Sequence, residues 1–515
     1  MLSARKAGFG SVSKLEPRLY PGIPIWFRAV KTRTNMKLNL YHKILLMSFV
    51  VTLPLCNPLV HCDGMGYYAY VRSLVVQHNL RFEADWLNLQ WPYPAKTVDA
   101  EGHINTPYTL TGHIPNHYSV GPSMLWAPFL IPVHTVMVGL AKGGRKVKTD
   151  GFSLSYILTA ALATALYGFL GLCISFRLAR LCVQERWAFF ATLSLWFASS
   201  LPVYMYFDPF YPHAQSVFGV AVFLWYWHRT RPQRTMAQWA TLGLLSGLVL
   251  DIYYLNIAIL SLPLLESMRL YWRAWRAPGH DWEALRRHFL ANLIFLCMTV
   301  VAFMPTLITR QIIYGNPLDF GYEPSSWFHP ALWQPLLSSN HGLLSWTPII
   351  APALMGLFLL RRYDRELATY SLAAFAILYY IVACHPAWHG LSSFGNRFFI
   401  SLTPLFILGL AVFLQEASFW FTRARGALAT SALVIGALIL WNLAFIFQWG
   451  TGLVPHIGSI SWKQMAYNQV MVVPARLGST LKAYFSDRSG LMKRIQLQDL
   501  QHWRGEPMAG SDKSR

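Results

Sequence analysis

Apolar blocks of about 18–25 residues, the length that crosses a hydrocarbon core of about 30 Å, recur between residues 43 and 449 of this chain. So many blocks cannot all be buried in one water-soluble core. In lipid, each must also satisfy its backbone polar groups within itself, which selects helices. The composition agrees: 13% of the 515 residues are charged, 54% are hydrophobic, and mean hydropathy is +0.34. A soluble domain carries about 25% charged residues. The expected fold class is an all-α polytopic integral membrane protein with about 11–13 transmembrane helices. The formal charge of +21 falls in short clusters between the blocks, at 177–186, 229–234, 269–287 and 361–365. That is the pattern of the positive-inside rule. No nucleic-acid-binding module accompanies the charge, so a nucleic-acid partner is not expected.

The first span, at 43–61, reads as an uncleaved anchor behind a basic cytoplasmic segment, 1–42, in which Met36 is a candidate start. This flank puts the first loop, 62–118, outside. Further blocks lie at 119–141, 152–176, 187–207, 214–228, 289–312, 343–360, 366–384, 398–415 and 427–449. The block at 239–275 is interrupted by Asp251-Ile252-Tyr253-Tyr254-Leu255-Asn256, which predicts two short helices with a polar tip. Parity fails to close near the start: 142–148 and 177–186 are both basic, yet one block separates them. Either 119–141 is re-entrant or 152–176 is a bent hairpin. From residue 187 onward, 208–213, 313–342, 385–397 and the tail fall on the side of 62–118. The tail, 450–515, is polar with one amphipathic helix near 474–484. The six cysteines have no metal-ligand spacing. Cys62 and Cys384 each abut an outer loop, which leaves a bridge between them open.

Few charges lie in mid-span, where ion-coupled transporters need them. Away from the basic clusters, carboxylates and histidines gather in the outer loops instead. Asp63 ends the first span. Gly64 and Gly66 allow a sharp turn, and Tyr67, Tyr70, Val71, Leu74, Val75 and His78 then recur at helical spacing. This predicts an amphipathic juxtamembrane helix in the interface, with Arg72 off its apolar stripe. The plainer alternative for Asp63 is a helix cap. His117, with Asn116 and Tyr118, precedes the next block, where polar-tipped aromatics are also ordinary interfacial residues. Asp208 and His213 share a short loop that a capped proline turn would equally explain. His385, His389, Asn396 and Arg397 form the last group. Arg397 is a snorkelling residue on one reading, but a cation on the outer side suits an anionic partner. Arg310 and His341 join it from the other long outer loop.

This layout resembles the GT-C superfamily of membrane glycosyltransferases, which includes the protein O-mannosyltransferases and lipid A aminoarabinose transferases. The resemblance covers most of residues 40–449 and makes 43–449 the transmembrane catalytic domain. Asp63 is similar in placement to the family's catalytic carboxylate after the first span, and residues 67–78 to its first juxtamembrane helix. Asp208 resembles a second-loop carboxylate, and Arg397 the arginine of the late phosphate-side motif. Asp63-Gly64 departs from the acidic pair of many relatives. What the resemblance implies is transfer of a sugar, with inversion, from a polyprenyl-phosphate donor to an acceptor hydroxyl at the outer face. Asp63 and Asp208 would be catalytic. Tyr67, Arg72, His117, His213, Arg310, His389, Asn396 and Arg397 would bind substrate, with the cations turned to the leaving phosphate. Implied partners are the lipid-linked donor, membrane lipids, and an acceptor glycan, lipid or protein. The implied location is a bacterial inner membrane with the site facing the periplasm. No cofactor is expected to be required. Glu83 and Asp85 form the one compact acidic pair that a divalent metal would use. Two rival readings are a flippase or transporter of lipid-linked sugars, which needs no catalytic carboxylate, and an envelope glycan ligase or polymerase.

Overall fold

The computed structural model describes residues 39–60, 62–88, 103–321, 325–420 and 424–503. Helix α1 (Leu40–Thr52) starts on Asn39, whose side chain accepts from the His42 N–H at 3.2 Å. It tightens into a 3-10 turn at Leu53–Leu55 around Pro54. Next come α2 (Asp63–Arg72), α3 (Glu83–Asn88), α4 (Gly121–Lys142), α5 (Leu154–Ala179), α6 (Glu185–Phe197), α7 (His213–Thr230) and α8 (Met236–Ile252). The chain continues through α9 (Ser261–Arg276), α10 (Trp282–Tyr314), α11 (Ile350–Leu359), α12 (Arg365–Cys384), α13 (Thr403–Ser418) and α14 (Ala424–Gly450). It ends in α15 (Trp462–Tyr467), α16 (Val473–Ser486) and α17 (Arg488–Trp503).

Among the described residues, six helices are long and apolar enough to cross a membrane: 121–142, 154–179, 282–314, 365–384, 397–418 and 426–450. The chain is therefore an integral membrane protein. The other expected crossings are made by shorter or broken helices. The block at 239–275 breaks as its polar tip predicts, with extended backbone at Tyr253 between α8 and a 3-10 turn, Tyr254–Leu260. Where helices cross tightly, glycine removes the obstacle. A Cβ on Gly356 would lie 1.7 Å from the Gly409 carbonyl oxygen, so α11 and α13 touch backbone to backbone.

Ion pairs gather the basic clusters at one end of the bundle. Arg231 meets Asp364 and Arg269 meets Glu366, while Arg234 reaches Glu266 at 2.9 Å and Arg362 reaches Glu416 at 2.6 Å. The first loop defines the opposite end, from which α4 starts. Ser123 near its start donates to the Tyr67 carbonyl at 2.6 Å, and the Tyr68 hydroxyl donates to the Gly151 carbonyl at 2.7 Å. The excursion through α4 and 143–153 thus leaves α2 and returns to it. Helix α4 folds back along the first half of α5, with Trp126 on Thr164 at 2.8 Å and His134 on Tyr156 at 2.8 Å. Helix α5 is one continuous helix and not a bent hairpin.

Two expectations change. The segment after Asp63 has no exposed face over its first ten residues. Every residue of α2 from Gly64 to Arg72 is buried, under α4 and the loops that follow. The tail is not merely polar. Helices α16 and α17 pack onto the broken end of α1, where the Tyr484 hydroxyl donates to the Leu55 carbonyl at 2.7 Å and Arg488 donates to the Pro54 carbonyl at 2.9 Å. Arg488 also bonds the Cys56 carbonyl. These are helix C-terminal carbonyls, which α1 cannot satisfy itself and which favour a cation.

Candidate functional site

Three loops meet at the end of the bundle opposite the basic clusters. The first turns at Cys62, whose φ is +48°, and starts α2 on Asp63. The second follows a wide turn, Val203–Phe207, and carries Asp208, Phe210 and Tyr211. The third, 385–396, has positive φ at Gly390, Leu391 and Gly395 and delivers Arg397. The two glycines after Asp63 serve close approach rather than a turn. A Cβ on Gly64 would lie 2.7 Å from Phe210 Cβ, and one on Gly66 would lie 1.9 Å from the Tyr118 ring. They let the second loop and the Tyr118 ring close over the start of α2.

Asp63 is held from two sides. Its Oδ2 is 2.8 Å from an Arg397 Nη, and its Oδ1 accepts from the Tyr118 hydroxyl at 2.9 Å. The Asp63 side chain keeps 30% of its surface exposed, against 11% for Arg397. The guanidinium lies 4.9 Å from the Tyr211 ring centroid and 5.8 Å from that of Phe398. Burial raises the pKa of Tyr211 well above its ordinary value. Cys62, Asp63 and Asp208 push the same way and Arg397 opposes them, so the phenol stays neutral. Tyr204 and Tyr253 share this surround, and the Tyr204 hydroxyl accepts from the Phe394 N–H at 3.2 Å.

Beside this pair lies a cavity of about 510 Å³. Its wall is mostly aliphatic and aromatic, with Leu443, Ile446 and Phe447 from α14 and Leu477, Leu481 and Tyr484 from α16. Asp208, Tyr211, Cys62 and Ser392 supply polar atoms. Tyr211 is thus shared: it lines the cavity and lies over Arg397.

The remaining candidate residues fall into two groups. His117 stands near the pair, its ring 4.2 Å from that of Tyr118. Burial lowers its pKa; the Asp63 charge raises it and Arg310 lowers it further. Tyr67 is buried with its ring 4.8 Å from Tyr118, and so supports that ring from behind. His213 is 1% exposed and caged by Tyr204 at 4.7 Å, Tyr253 at 5.3 Å and Tyr211 at 6.0 Å. Asn396 is buried and turned back on its own loop, donating to the Trp388 carbonyl at 3.1 Å. The His389 Nδ1 accepts from the Leu391 N–H at 3.1 Å, which shapes the third loop.

Two of the candidate arginines are held by the fold itself. Arg72 is not placed to meet a substrate: it is buried, donating from Nε to Asp85 at 2.6 Å, with a second bond from Nη2 to the same carboxylate. Asp85, one of the Glu83–Asp85 pair, therefore has an Arg72 donor on each of its oxygens. Among the described residues no group of three or more metal-ligating side chains comes together. Arg310 is not turned to a ligand either. It is fully buried and bonds the carbonyls of Asn116 and Tyr118, the Tyr254 hydroxyl at 3.0 Å and the Tyr70 hydroxyl at 3.3 Å. No disulfide joins Cys62 and Cys384. Tyr204 and Tyr211 were not among the residues singled out from the sequence. Their one signal was density, with Tyr204, Tyr206 and Tyr211 crowded around Asp208.

No protein-family model matches the chain. No curated protein matches it either. Among solved structures, its fold is similar to that of ArnT from Cupriavidus metallidurans in the apo state. The identity is 15% and the TM-score 0.46, covering 90% of this chain and 74% of that one. The same ArnT bound to undecaprenyl phosphate matches at 15% identity and a TM-score of 0.47, covering 90% of this chain and 75% of that one. Likeness at this level concerns the arrangement of helices and carries no argument about the site.

Proposed function

We propose that this chain is a membrane glycosyltransferase that moves a sugar from a polyprenyl-phosphate carrier to an acceptor hydroxyl, with inversion. The observation that carries the reading is the pairing of a mostly apolar cavity with an acid–guanidinium pair behind one shared tyrosine, Tyr211. The cavity has the character needed for a prenyl chain, since ligand pockets are mostly apolar with a few placed polar groups. An enzyme facing away from the cytoplasm has no nucleotide sugars at hand, so its sugar arrives on a lipid. The side proposed is the periplasmic face of a bacterial inner membrane.

In this mechanism Asp63 accepts the proton of the acceptor hydroxyl. The acceptor oxygen attacks the anomeric carbon from the face opposite the phosphate, and the bond from that carbon to the phosphate oxygen breaks. The leaving polyprenyl phosphate keeps the electron pair, and its developing charge falls to Arg397. Asp208, at the cavity wall, orients the sugar, and His117 faces the acceptor beside Asp63. No metal takes part.

The test compares membranes holding the wild type or Asp63→Asn, supplied with radiolabelled polyprenyl-phosphate sugars and crude envelope acceptors. Binding of the lipid by both proteins, with release of polyprenyl phosphate by the wild type alone, supports the reading. Binding by both with turnover by neither moves a lipid-linked-sugar transporter ahead.

A further inference from the structure

The two groups that hold Asp63 are anchored very differently. Tyr118 is fixed: Arg310 bonds its carbonyl, its N–H donates to Asn116 Oδ1 at 3.3 Å, and its ring fills the space that Gly66 leaves open. Tyr67 and His117 flank that ring at 4.8 Å and 4.2 Å. Among the described residues Arg397 has one anionic partner, Asp63. Its Nε is buried with no hydrogen-bond partner among the described residues, and aromatic faces make up much of its surround. A guanidinium offers five N–H donors, so Arg397 has capacity that a carboxylate alone does not fill. A phosphate, with more oxygens and more charge, competes for it well. Meanwhile a base must present a lone pair to the hydroxyl it deprotonates, and Asp63 has a donor on each oxygen.

We propose that the Asp63–Arg397 pair is a latch opened by the donor: the phosphate of the polyprenyl lipid takes Arg397 from Asp63, while Tyr118, backed by Arg310, keeps the freed carboxylate in place. The inference rests on the reading above that Arg397 meets the lipid phosphate. The exchange moves one cation from one anion to another, and no covalent bond changes. It makes the donor bind before the acceptor can be deprotonated, and it covers the base whenever the lipid is absent. Tyr118 and Arg310 act through Asp63 and are positioning residues.

The experiment uses the full chain in lipid nanodiscs, titrated with a polyprenyl monophosphate and followed by difference infrared spectroscopy of carboxylate bands. Wild type, Asp63→Asn, Arg397→Gln and Tyr118→Phe are compared, each checked for folding by its thermal transition. The expected result is that Asp63→Asn binds the lipid at least about fivefold tighter than wild type, because the competing anion is gone. Arg397→Gln binds more weakly. Lipid addition shifts a carboxylate band in the wild type, and that band is missing in Asp63→Asn. In turnover, Tyr118→Phe lowers kcat while the donor KM holds. If Arg397→Gln weakens binding but Asp63→Asn binds no tighter and no carboxylate band moves, the latch is overturned and the lipid reading survives. If neither wild type nor any variant binds the lipid, both fall.

Discussion

Gly66→Ala tests whether Tyr118 sets the position of Asp63. The added Cβ would sit 1.9 Å from Tyr118 Cδ2 and 2.5 Å from Cε2. Non-bonded carbons settle at about 3.5–4.0 Å, so the ring must retreat by about 1.5 Å. Its hydroxyl now lies 2.9 Å from Asp63 Oδ1, and a shift of that size breaks the bond, since about 3.6 Å is already too far. Two stability effects oppose each other. Alanine is favoured over glycine inside a helix by about 0.5–1 kcal/mol, whereas forcing a methyl into a packed site costs about 1–3 kcal/mol. Tyr118 cannot yield freely, because Arg310 holds its carbonyl. Overpacking therefore wins, and the thermal transition falls. Turnover falls further, on the order of 100-fold, because a misplacement of about 1 Å at a reacting group costs that much. The assay is release of polyprenyl phosphate by reconstituted protein, alongside the thermal transition. Gly139→Ala is the control: its Cβ meets nothing within 4 Å, so helix propensity alone acts there and stability holds or rises. A Gly66→Ala protein with a raised transition and wild-type turnover would refute the reasoning.

Four further outcomes are expected. Arg310→Met leaves buried carbonyls and phenols without their donor and costs at least about 3 kcal/mol, since each bond to a charged group is worth about 1.5–3 kcal/mol; a thermal transition within a degree of wild type would show that Arg310 anchors nothing. Arg488→Ala uncaps the broken end of α1 and loosens α16 and α17, costing about 1–2 kcal/mol; limited proteolysis should then cut within 473–503 faster than in wild type. His341 is fully buried, and burial, aided by the charges of His389 and Arg397 and opposed by the His456 backbone, pushes its pKa down to about 3. Its unfolded value is about 6.5, so the stability it confers is whole above that pH and is lost as pH falls towards 3, at about 1.4 kcal/mol per unit. His341→Phe should flatten this part of the pH–stability curve, and superimposable slopes below pH ~6 would remove His341 from the account. Turnover should persist in EDTA, because both Asp85 oxygens are taken by Arg72; loss of activity restored by one divalent ion would reverse that.

Hydropathy made the bundle legible, and with it the loops that carry Asp63, Asp208 and Arg397, because a charge stranded at the end of an apolar block stands out. It did not show which charges the fold satisfies internally. Arg72 finds Asp85 at a sequence separation of 13, and Arg310 finds the Tyr118 carbonyl at 192. A guanidinium with a partner and one awaiting a ligand look alike in one dimension. The glycines after Asp63 suggested a turn because a turn is their commonest use, while the close approach of Phe210 and Tyr118 depends on loops far along the chain. Helix periodicity marked α16 as amphipathic. It carried no information on what the apolar face covers, which is the cavity wall.

One arginine at the site end is held differently from its neighbours Arg72 and Arg397, which meet carboxylates, and this bears on what the site can do. At the basic end, Arg231, Arg234, Arg269 and Arg362 each meet a carboxylate, so their fields largely cancel. At the site end, Arg310 is surrounded by neutral dipoles: two backbone carbonyls and two phenol hydroxyls. They take up its two terminal nitrogens without cancelling its charge, while Nε has no partner among the described residues. The charge is felt in the first loop: burial lowers the His117 pKa, Asp63 raises it, and Arg310 adds a smaller lowering. A fixed positive field in a poorly solvated loop stabilises negative charge wherever it gathers nearby, with no dipole left to reorient at that moment. In the proposed transfer, negative charge gathers on the leaving phosphate at Arg397. The buried arginine that touches no ligand would therefore contribute twice, through the geometry of Tyr118 and through its own uncancelled charge. Arg310→Lys separates the two: it keeps the charge and loses the planar fork. A variant that retains most of kcat would assign the larger part to the field, and one as impaired as Arg310→Met would assign it to the geometry.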